Sequence, residues 1–333
     1  MNILINCPSR FDINSNKLDK IGGIESLNIT LAKKLVKLNF NVILSTFCDK
    51  KIKKNRLINH PINIIKENKN NYKFDVIISS NDSTIFNIFP DSKKIFWLHN
   101  PLQIEKSIRK NQLFSLLRNR PKAVFVSSYL ESITSKLFFF NERIVIPNFL
   151  LKNFIKKKVN FNRKQIFVWS VQRNKGLKKT IDIWINKISP LYKEAELHIF
   201  GSDIISKDFD KKKLRYKKIF FKGRVNRKIL IDTYSKSLAM ICLGYDETFC
   251  LNALEANSCG LPIITFGKTA LGDFVLNNRN GFLVNDYNDL PSAIVKMIKI
   301  NKIKHKKLIR DSVILSKDYL LSKIINSWLK IIK

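Results

Sequence analysis

The sequence predicts an α/β protein made of two consecutive Rossmann-like α/β/α domains, and three observations predict it. Apolar runs of strand length alternate with longer segments of helical spacing, the pattern of βαβ units around a parallel sheet. The alternation lapses once, in the basic stretch LLKNFIKKKVNFNRK (150–164), and then restarts. A chain of 333 residues, 45% of them hydrophobic, is long enough for two cores at about 150 residues per domain.

Each element follows in order. NILIN (2–6) opens the first domain as a strand, and Ile24 to Leu38 follows with helical spacing. NVILST (41–46), FDVIISS (74–80), KIFWLHN (94–100), AVFVSS (123–128) and RIVIPN (143–148) continue as strands. The second domain restarts at QIFVWSV (165–171) and proceeds through ELHIFG (196–201), KIFFKG (218–223), LAMICLG (238–244), PIITFG (262–267) and GFLVN (281–285). Leu308 to Lys333 reads as helix. The expected domains are therefore 1–150, 151–318 and a C-terminal helix, 319–333, packing back on the first. Ligands of open parallel sheets bind outside the carboxyl ends of the strands, so two such sheets facing each other would make a cleft.

The chain carries 61 basic and 26 acidic residues, a formal charge of +35. That balance favours an anionic partner, either nucleic acid, a phospholipid surface or phosphorylated small molecules, although a lysine-rich composition bias on a solvated surface gives the same total. Five cysteines (Cys7, Cys48, Cys242, Cys250 and Cys259) show no CxxC pair and no histidine at zinc-ligand spacing. They read as reduced, mostly buried thiols of a cytoplasmic protein. MNILINCPSR lacks the features of a secretory leader, and no apolar run approaches the roughly 18 residues of a membrane span.

Several motifs are decoys. No GxGxxG follows the first strand. Gly267-Lys268-Thr269 lacks the spacing and the following helix of a phosphate loop. Asp208-Phe209-Asp210 sits in a charge-dense loop and reads as a solvated turn rather than a metal site.

The informative stretch is DETFCLNALEANSCGLPIIT (246–265). A strand ends at Leu243-Gly244, Thr248 is a plausible N-cap, and Phe249 to Ser258 has helical spacing before Gly260 stops it. The amides of Phe249 to Asn252 would then favour an anion such as a diphosphate. Glu247 and Glu255 would stand roughly 10 Å apart at 1.5 Å rise per residue. This suits the two ends of an extended ligand better than the paired carboxylates of a glycoside hydrolase.

The run from His198 to Val284, with HIFG, GRV, YSKSLAMICLG, E-T-F and then Glu255, SCGLPIIT and NGFLV, resembles the carboxyl half of glycosyltransferase family 4, of the GT-B fold. IGGIE (21–25), WLHN (97–100), IPN (146–148) and KGL (175–177) match further family marks upstream. The resemblance implies a glycine-rich loop at Gly22 and Gly23 close to the donor phosphates. It implies His99 near the transferred sugar, with a core histidine as the structural alternative. Lys175, with Arg173 as the other member of the family's basic pair, would meet the charge of the leaving diphosphate. Glu247 would hold donor-sugar hydroxyls and Glu255 the ribose, while Thr248, Phe249, Cys250, Leu251, Arg224 and Val225 would line the nucleotide. Three departures stand out: Arg173 lies unusually close to Lys175, Cys250 replaces a glycine, and Phe149 replaces the glycine after Asn148.

The activity implied is retaining transfer of a sugar from a nucleotide-sugar donor to a hydroxyl acceptor, without cofactor or divalent metal, as in assembly of surface polysaccharide or lipopolysaccharide. The acceptor, a glycan or a lipid-linked glycan, would fall on the first domain. There QIEKSIRKNQLFSLLRNRPK (103–122) alternates basic residues with Ile104, Ile108, Leu113, Phe114 and Leu117. Core packing is the default use of such an apolar face; an anionic membrane surface is the alternative, and would place the protein at the inner face of the membrane. Two other classes stay open: an inactive glycosyltransferase-like partner subunit, and a basic nucleic-acid-binding α/β protein suggested by LFFFNERIVIPNFLLKNFIKKK (137–158). The second has no helix-turn-helix, zinc or RNP signature, so no nucleic acid is expected as partner.

Overall fold

The structure is a computed structural model that describes residues 1–13, 21–151, 154, 159–171, 175–201 and 210–333. It divides into two compact units, Met1–Phe149 with Ile324–Lys333, and Leu150–Lys323. Each is an α/β layer structure around one sheet.

The first unit contains β1 (Asn2–Asn6), α1 (Gly23–Lys37), β2 (Asn41–Thr46), β3 (Ile52–Lys54), β4 (Leu57–Pro61), α2 (Ile62–Glu67), β5 (Val76–Ser80), β6 (Lys93–Leu98), α3 (Ile104–Arg109), α4 (Gln112–Asn119), β7 (Lys122–Phe125), α5 (Ser128–Ile133) and β8 (Glu142–Val145). The strand order is β3-β4-β2-β1-β5-β6-β7-β8, parallel throughout except for the β3–β4 pair. β5 is buried along its whole length and β1 along all but its first residue, which explains why these strands read as continuous apolar runs rather than alternating ones.

The second unit contains β9 (Ile166–Trp169), α6 (Leu177–Ile183), β10 (Glu196–Phe200), α7 (Lys211–Tyr216), β11 (Ile219–Gly223), α8 (Arg227–Lys236), β12 (Ala239–Cys242), α9 (Leu251–Ser258), β13 (Ile263–Phe266), β14 (Gly281–Val284), α10 (Leu290–Ile298) and α11 (Lys302–Ser316). Its strands are ordered β11-β10-β9-β12-β13-β14 and are all parallel. This is the doubly wound order, in which the crossovers reverse direction between the first and fourth strands. A last helix, α12 (Leu321–Ile332), carries the chain back to the first unit at Ile324.

Three sequence expectations are corrected here. Leu308 to Lys333 is not one helix: a short tight turn, Lys317–Tyr319, separates α11 from α12, and Leu320 takes an extended backbone that bridges Leu150, whose N–H donates to the Tyr319 carbonyl at 2.7 Å. The basic stretch 150–164 is not a free linker, because Phe154 is buried and the Arg163 guanidinium lies inside the second unit. It donates to the carbonyls of Tyr234 (2.6 Å), Ser237 (3.4 Å), Cys259 (3.1 Å) and Gly260 (2.9 Å), joining the ends of α8 and α9. Finally, residues 103–122 form two short helices whose buried face is Ser107, Gln112, Ser115 and Leu116. Ile108, Phe114 and Leu117 are left 46%, 61% and 40% exposed.

Trp328 of α12 is fully buried and meets Trp97 of β6 edge-on at 4.7 Å, a T-shaped contact that anchors the end of the chain in the first unit's core. Trp328→Ala is expected to destabilise the fold by about 3–5 kcal/mol, read as a lower denaturant midpoint, and Trp328→Phe by less; an unchanged midpoint for the alanine variant would show that α12 adds nothing to the core.

Candidate functional site in the second unit

The reversal between β9 and β12 fixes where a ligand can sit, because the loops leaving these adjacent strands turn to opposite sides and leave a gap beyond their carboxyl ends. The loop after β9 leads to Lys175 and the loop after β12 to Glu247. Gly244 brings them together: a Cβ there would lie 2.9 Å from Lys175 Cδ and 3.1 Å from Glu247 Cγ. Gly176 takes φ +95°, and a Cβ on it would run into the Tyr287 hydroxyl, which itself donates to the Leu243 carbonyl at 2.8 Å. Lys175, Gly176, Tyr245, Asp246 and Tyr287 line a recess of about 320 Å³.

Lys175 is well covered, with 12% of its side chain exposed, and its ammonium donates to Asp246 Oδ1 at 2.6 Å. Glu247 is half-buried. Burial raises its carboxyl above the usual range, and Lys175 pulls against that rise. The loop is anchored where the Ala270 N–H donates to the Glu247 carbonyl at 3.2 Å.

The helix after this loop begins later than its spacing suggests. α9 starts at Leu251, and its N-cap is Cys250 rather than Thr248. Cys250 stands at φ +62°, ψ +77°, a left-handed conformation that a glycine adopts freely, so the glycine preference of the resembled pattern has a backbone reason at this position. Phe249 does not face a ligand with its ring; it is buried against Phe274 (5.8 Å) and Tyr319 (6.0 Å). Leu251 is the first helical residue and half-buried. Asn252, in the first turn, donates through Nδ2 to the Ser170 carbonyl just past β9, while Ser170 Oγ and the buried Tyr234 hydroxyl lie 2.7 Å apart.

Glu255, one turn further on, is buried, and burial holds its carboxyl up to about 8 against the lesser pull of Arg227. Tyr234 feels the same carboxyl, which helps burial push the phenol up. Arg224 is exposed and Val225 half-buried in the loop between β11 and α8.

Other expected positions fall elsewhere. Gly22 is the N-cap and Gly23 the first residue of α1, in the first unit. His99, also in the first unit, follows β6 with its ring 4.5 Å from Trp97, and burial lowers its pKa to about 3, so the imidazole is neutral. Arg173 lies outside the described residues, as does Asp208. Asp210 caps α7 by accepting from the Lys212 N–H at 2.9 Å, which accounts for one half of the Asp-x-Asp pair. Thr269 of the Gly-Lys-Thr tripeptide opens a short 3-10 turn, Ala270–Asp273, rather than a phosphate-loop helix. In the aromatic stretch 137–158, Phe138, Phe149 and Phe154 are buried, and Phe140 packs on Phe125; they are core residues rather than a stacking platform for bases.

Sequence reasoning missed Asp246, Ser170, Tyr234, Arg227 and Tyr287. Asp246 alone carried a signal, as the neighbour of Glu247. It also missed that Cys242 and Cys250, eight positions apart, bring their sulfurs to 3.5 Å beside Glu247.

The architecture has close structural counterparts. Over 99% of this chain and 98% of the other it superposes on sucrose-phosphate synthase from Thermosynechococcus elongatus, with a TM-score of 0.73 at 15% identity. A glycosyltransferase from Rickettsia africae ESF-5 gives 0.73 at 16% identity over 100% of this chain and 97% of its own. WaaG, a glycosyltransferase involved in lipopolysaccharide biosynthesis, gives 0.66 at 12% identity over 99% of both chains. These likenesses define the fold as GT-B. Residues 152–312 match the family model described as Glycosyl transferases group 1. A D-inositol 3-phosphate glycosyltransferase from Rhodococcus jostii (strain RHA1) is 34% identical over 71 residues, a match that spans 21% of this chain and 16% of that protein.

The buried carboxyl gives a pH test of the geometry. Between about 4.5 and 8 the native state keeps a proton on Glu255 that the unfolded chain has lost, so this residue lowers stability as pH rises, by up to roughly 1.4 kcal/mol per pH unit. Glu255→Gln is expected to gain on the wild type steadily from about pH 5 to pH 8 in denaturation midpoint; parallel pH profiles would mean the carboxyl is not held protonated.

Proposed function

We propose that the protein is a retaining glycosyltransferase that moves a sugar from a nucleotide-sugar donor to a hydroxyl acceptor without a divalent metal, in the building of a surface polysaccharide or lipopolysaccharide. The observation that carries this reading is the meeting of Lys175 and Glu247 beyond β9 and β12, with Glu255 buried in the helix that follows. In the proposal Lys175 leaves Asp246 for the donor diphosphate and offsets the charge that grows as it departs, together with the first turn of α9 and Arg173. Glu247 holds the sugar hydroxyls. Glu255, neutral in the free protein, can both donate to and accept from the ribose hydroxyls. Gly22, Gly23 and His99 belong to the acceptor-side unit in this scheme, where a neutral imidazole serves as a hydrogen-bonding group rather than a cation.

The nucleotide screen tests this directly. UDP, GDP, ADP, CMP and their sugar conjugates are titrated against the whole chain with and without EDTA. One nucleotide series is expected to bind equally well or better in EDTA, and Glu255→Ala to weaken it at least about tenfold. No nucleotide binding at all would sink the enzyme reading.

The membrane part of the proposal rests on α3 and α4. Ile108, Phe114 and Leu117 are exposed among the exposed cations Lys106, Arg109, Lys110, Arg118 and Arg120, an arrangement suited to the headgroup region of an anionic leaflet. No helix among the described residues is long and apolar enough to cross a membrane. A lipid-linked acceptor would thus be met at the surface. Sedimentation with phosphatidylglycerol vesicles at physiological salt is expected to carry the protein down, and the Phe114→Ser, Leu117→Ser double variant to stay in solution; a wild type that ignores anionic vesicles would refute the membrane contact.

A further inference from the structure

Two thiols lie side by side at the carboxyl end of the second unit's sheet. Cys242 is the last residue of β12 and buried; Cys250 caps α9; their sulfurs are 3.5 Å apart. One ligand atom from each of Cys242, Cys250 and Glu247 lies within 4.8 Å of the other two. A tetrahedral zinc ion with Zn–S bonds of about 2.3 Å holds two thiolates roughly 3.8 Å apart, so the pair is already spaced for a cation. It is wider than a disulfide requires.

The backbone supports the same reading. Cys250 is held in the left-handed region, where a side chain other than glycine's costs of order 1 kcal/mol or more. The three groups come from a strand end, a loop pinned by the Ala270 N–H, and a helix cap, so none depends on a single mobile segment.

We propose that Cys242, Cys250 and Glu247 form a binding site for a soft divalent cation of the zinc class, supplying two thiolates and one carboxylate at three corners of a tetrahedron and leaving the fourth to water. On binding, each thiol breaks its S–H bond and gives the proton to solvent as its sulfur bonds the cation; no redox change is involved. Thiolate ligands select zinc or copper(I) over magnesium and calcium, so the site is distinct from a hard-cation site for phosphate chemistry. Because Glu247 is shared, an occupied site and a bound donor sugar exclude each other, a consequence that rests on the donor reading above.

Cobalt(II) titrated into the reduced whole chain reads the site optically. Free thiols are first confirmed at all five cysteines by assay in denaturant. The expected result is a sulfur-to-cobalt charge-transfer absorption that saturates near one equivalent and is displaced by zinc. Cys250→Gly and Cys242→Ala are each expected to abolish it, Glu247→Gln to keep the sulfur band while binding cobalt at least about tenfold more weakly, and Cys48→Ala to leave it unchanged. Cys250→Gly places at the left-handed position the residue that adopts it freely, so it carries the test if Cys242→Ala does not fold. A wild type without the band, or a band that survives Cys250→Gly, overturns the proposal. The measurement uses neither donor nor acceptor, so its failure is distinguishable from failure of the glycosyltransferase reading.

Discussion

The parallel pairing of β12 with β9 is the constraint on which the rest of the second unit's site depends. Once these two strands are neighbours, the chain leaves them in opposite directions, and the two departing loops, with Tyr287 from beyond β14, line the space past their ends. Everything chemical in the site is a response to that space. The glycines at 176 and 244 let the loops close on each other, Lys175 and Glu247 meet beside Gly244, and Asn252 and Ser170 tie the first turn of α9 to the end of β9.

Two titratable groups in this unit show how differently burial can be managed. Arg163 is half-buried and satisfied by carbonyls at two helix ends, and burial pushes its pKa down to about 10. That guanidinium is structural. Arg227 pulls the Glu255 carboxyl only partly back, and burial moves it from 4.5 to about 8. A carboxyl kept in such a place adds nothing to packing that a leucine would not add better, and the polar groups around it, Tyr234 and Arg227, suit a ligand hydroxyl more than an apolar core.

How much of this was legible follows from which residues carry information locally. The central strands were readable because they are buried on both faces and read as apolar runs, as in β1, β5, β12 and β13; β3 and β4 were not, since Ile52–Lys54 and Leu57–Pro61 contain lysine, asparagine, histidine and proline. The direction of the crossovers, and so the neighbouring of β9 and β12, is a property of the sheet and of no residue. The displaced start of α9 was hidden for a sharper reason. Thr248 is a good cap by type and Cys250 a poor one, yet Cys250 lies in the left-handed region, and cysteine gives no hint of that. Residues such as Tyr234 and Arg227 reach Glu255 from another helix, a juxtaposition that only the folded chain makes.

The inverted face of α3 and α4 has its own cause, which links the two ends of the first unit's candidate chemistry. Periodicity reveals that a helix has two faces but not which one docks. Here docking is polar: Ser115 Oγ donates to the Ser83 carbonyl at 2.6 Å, Ser83 Oγ to the Gln112 carbonyl at 3.1 Å, and Gln112 Nε2 to the Asn81 carbonyl at 3.2 Å. Asn81 in turn stands at φ +55° and accepts, through Oδ1, the N–H of His99 at 2.9 Å and of Asn100 at 3.3 Å. The hydrogen bonds that turn Phe114 and Leu117 outward are therefore linked, through Asn81, to those that fix the backbone of His99. One hydrogen-bonded chain, from Ser115 through Ser83, Gln112 and Asn81 to the backbone of His99, therefore connects the docking of α4 with the loop that carries the imidazole.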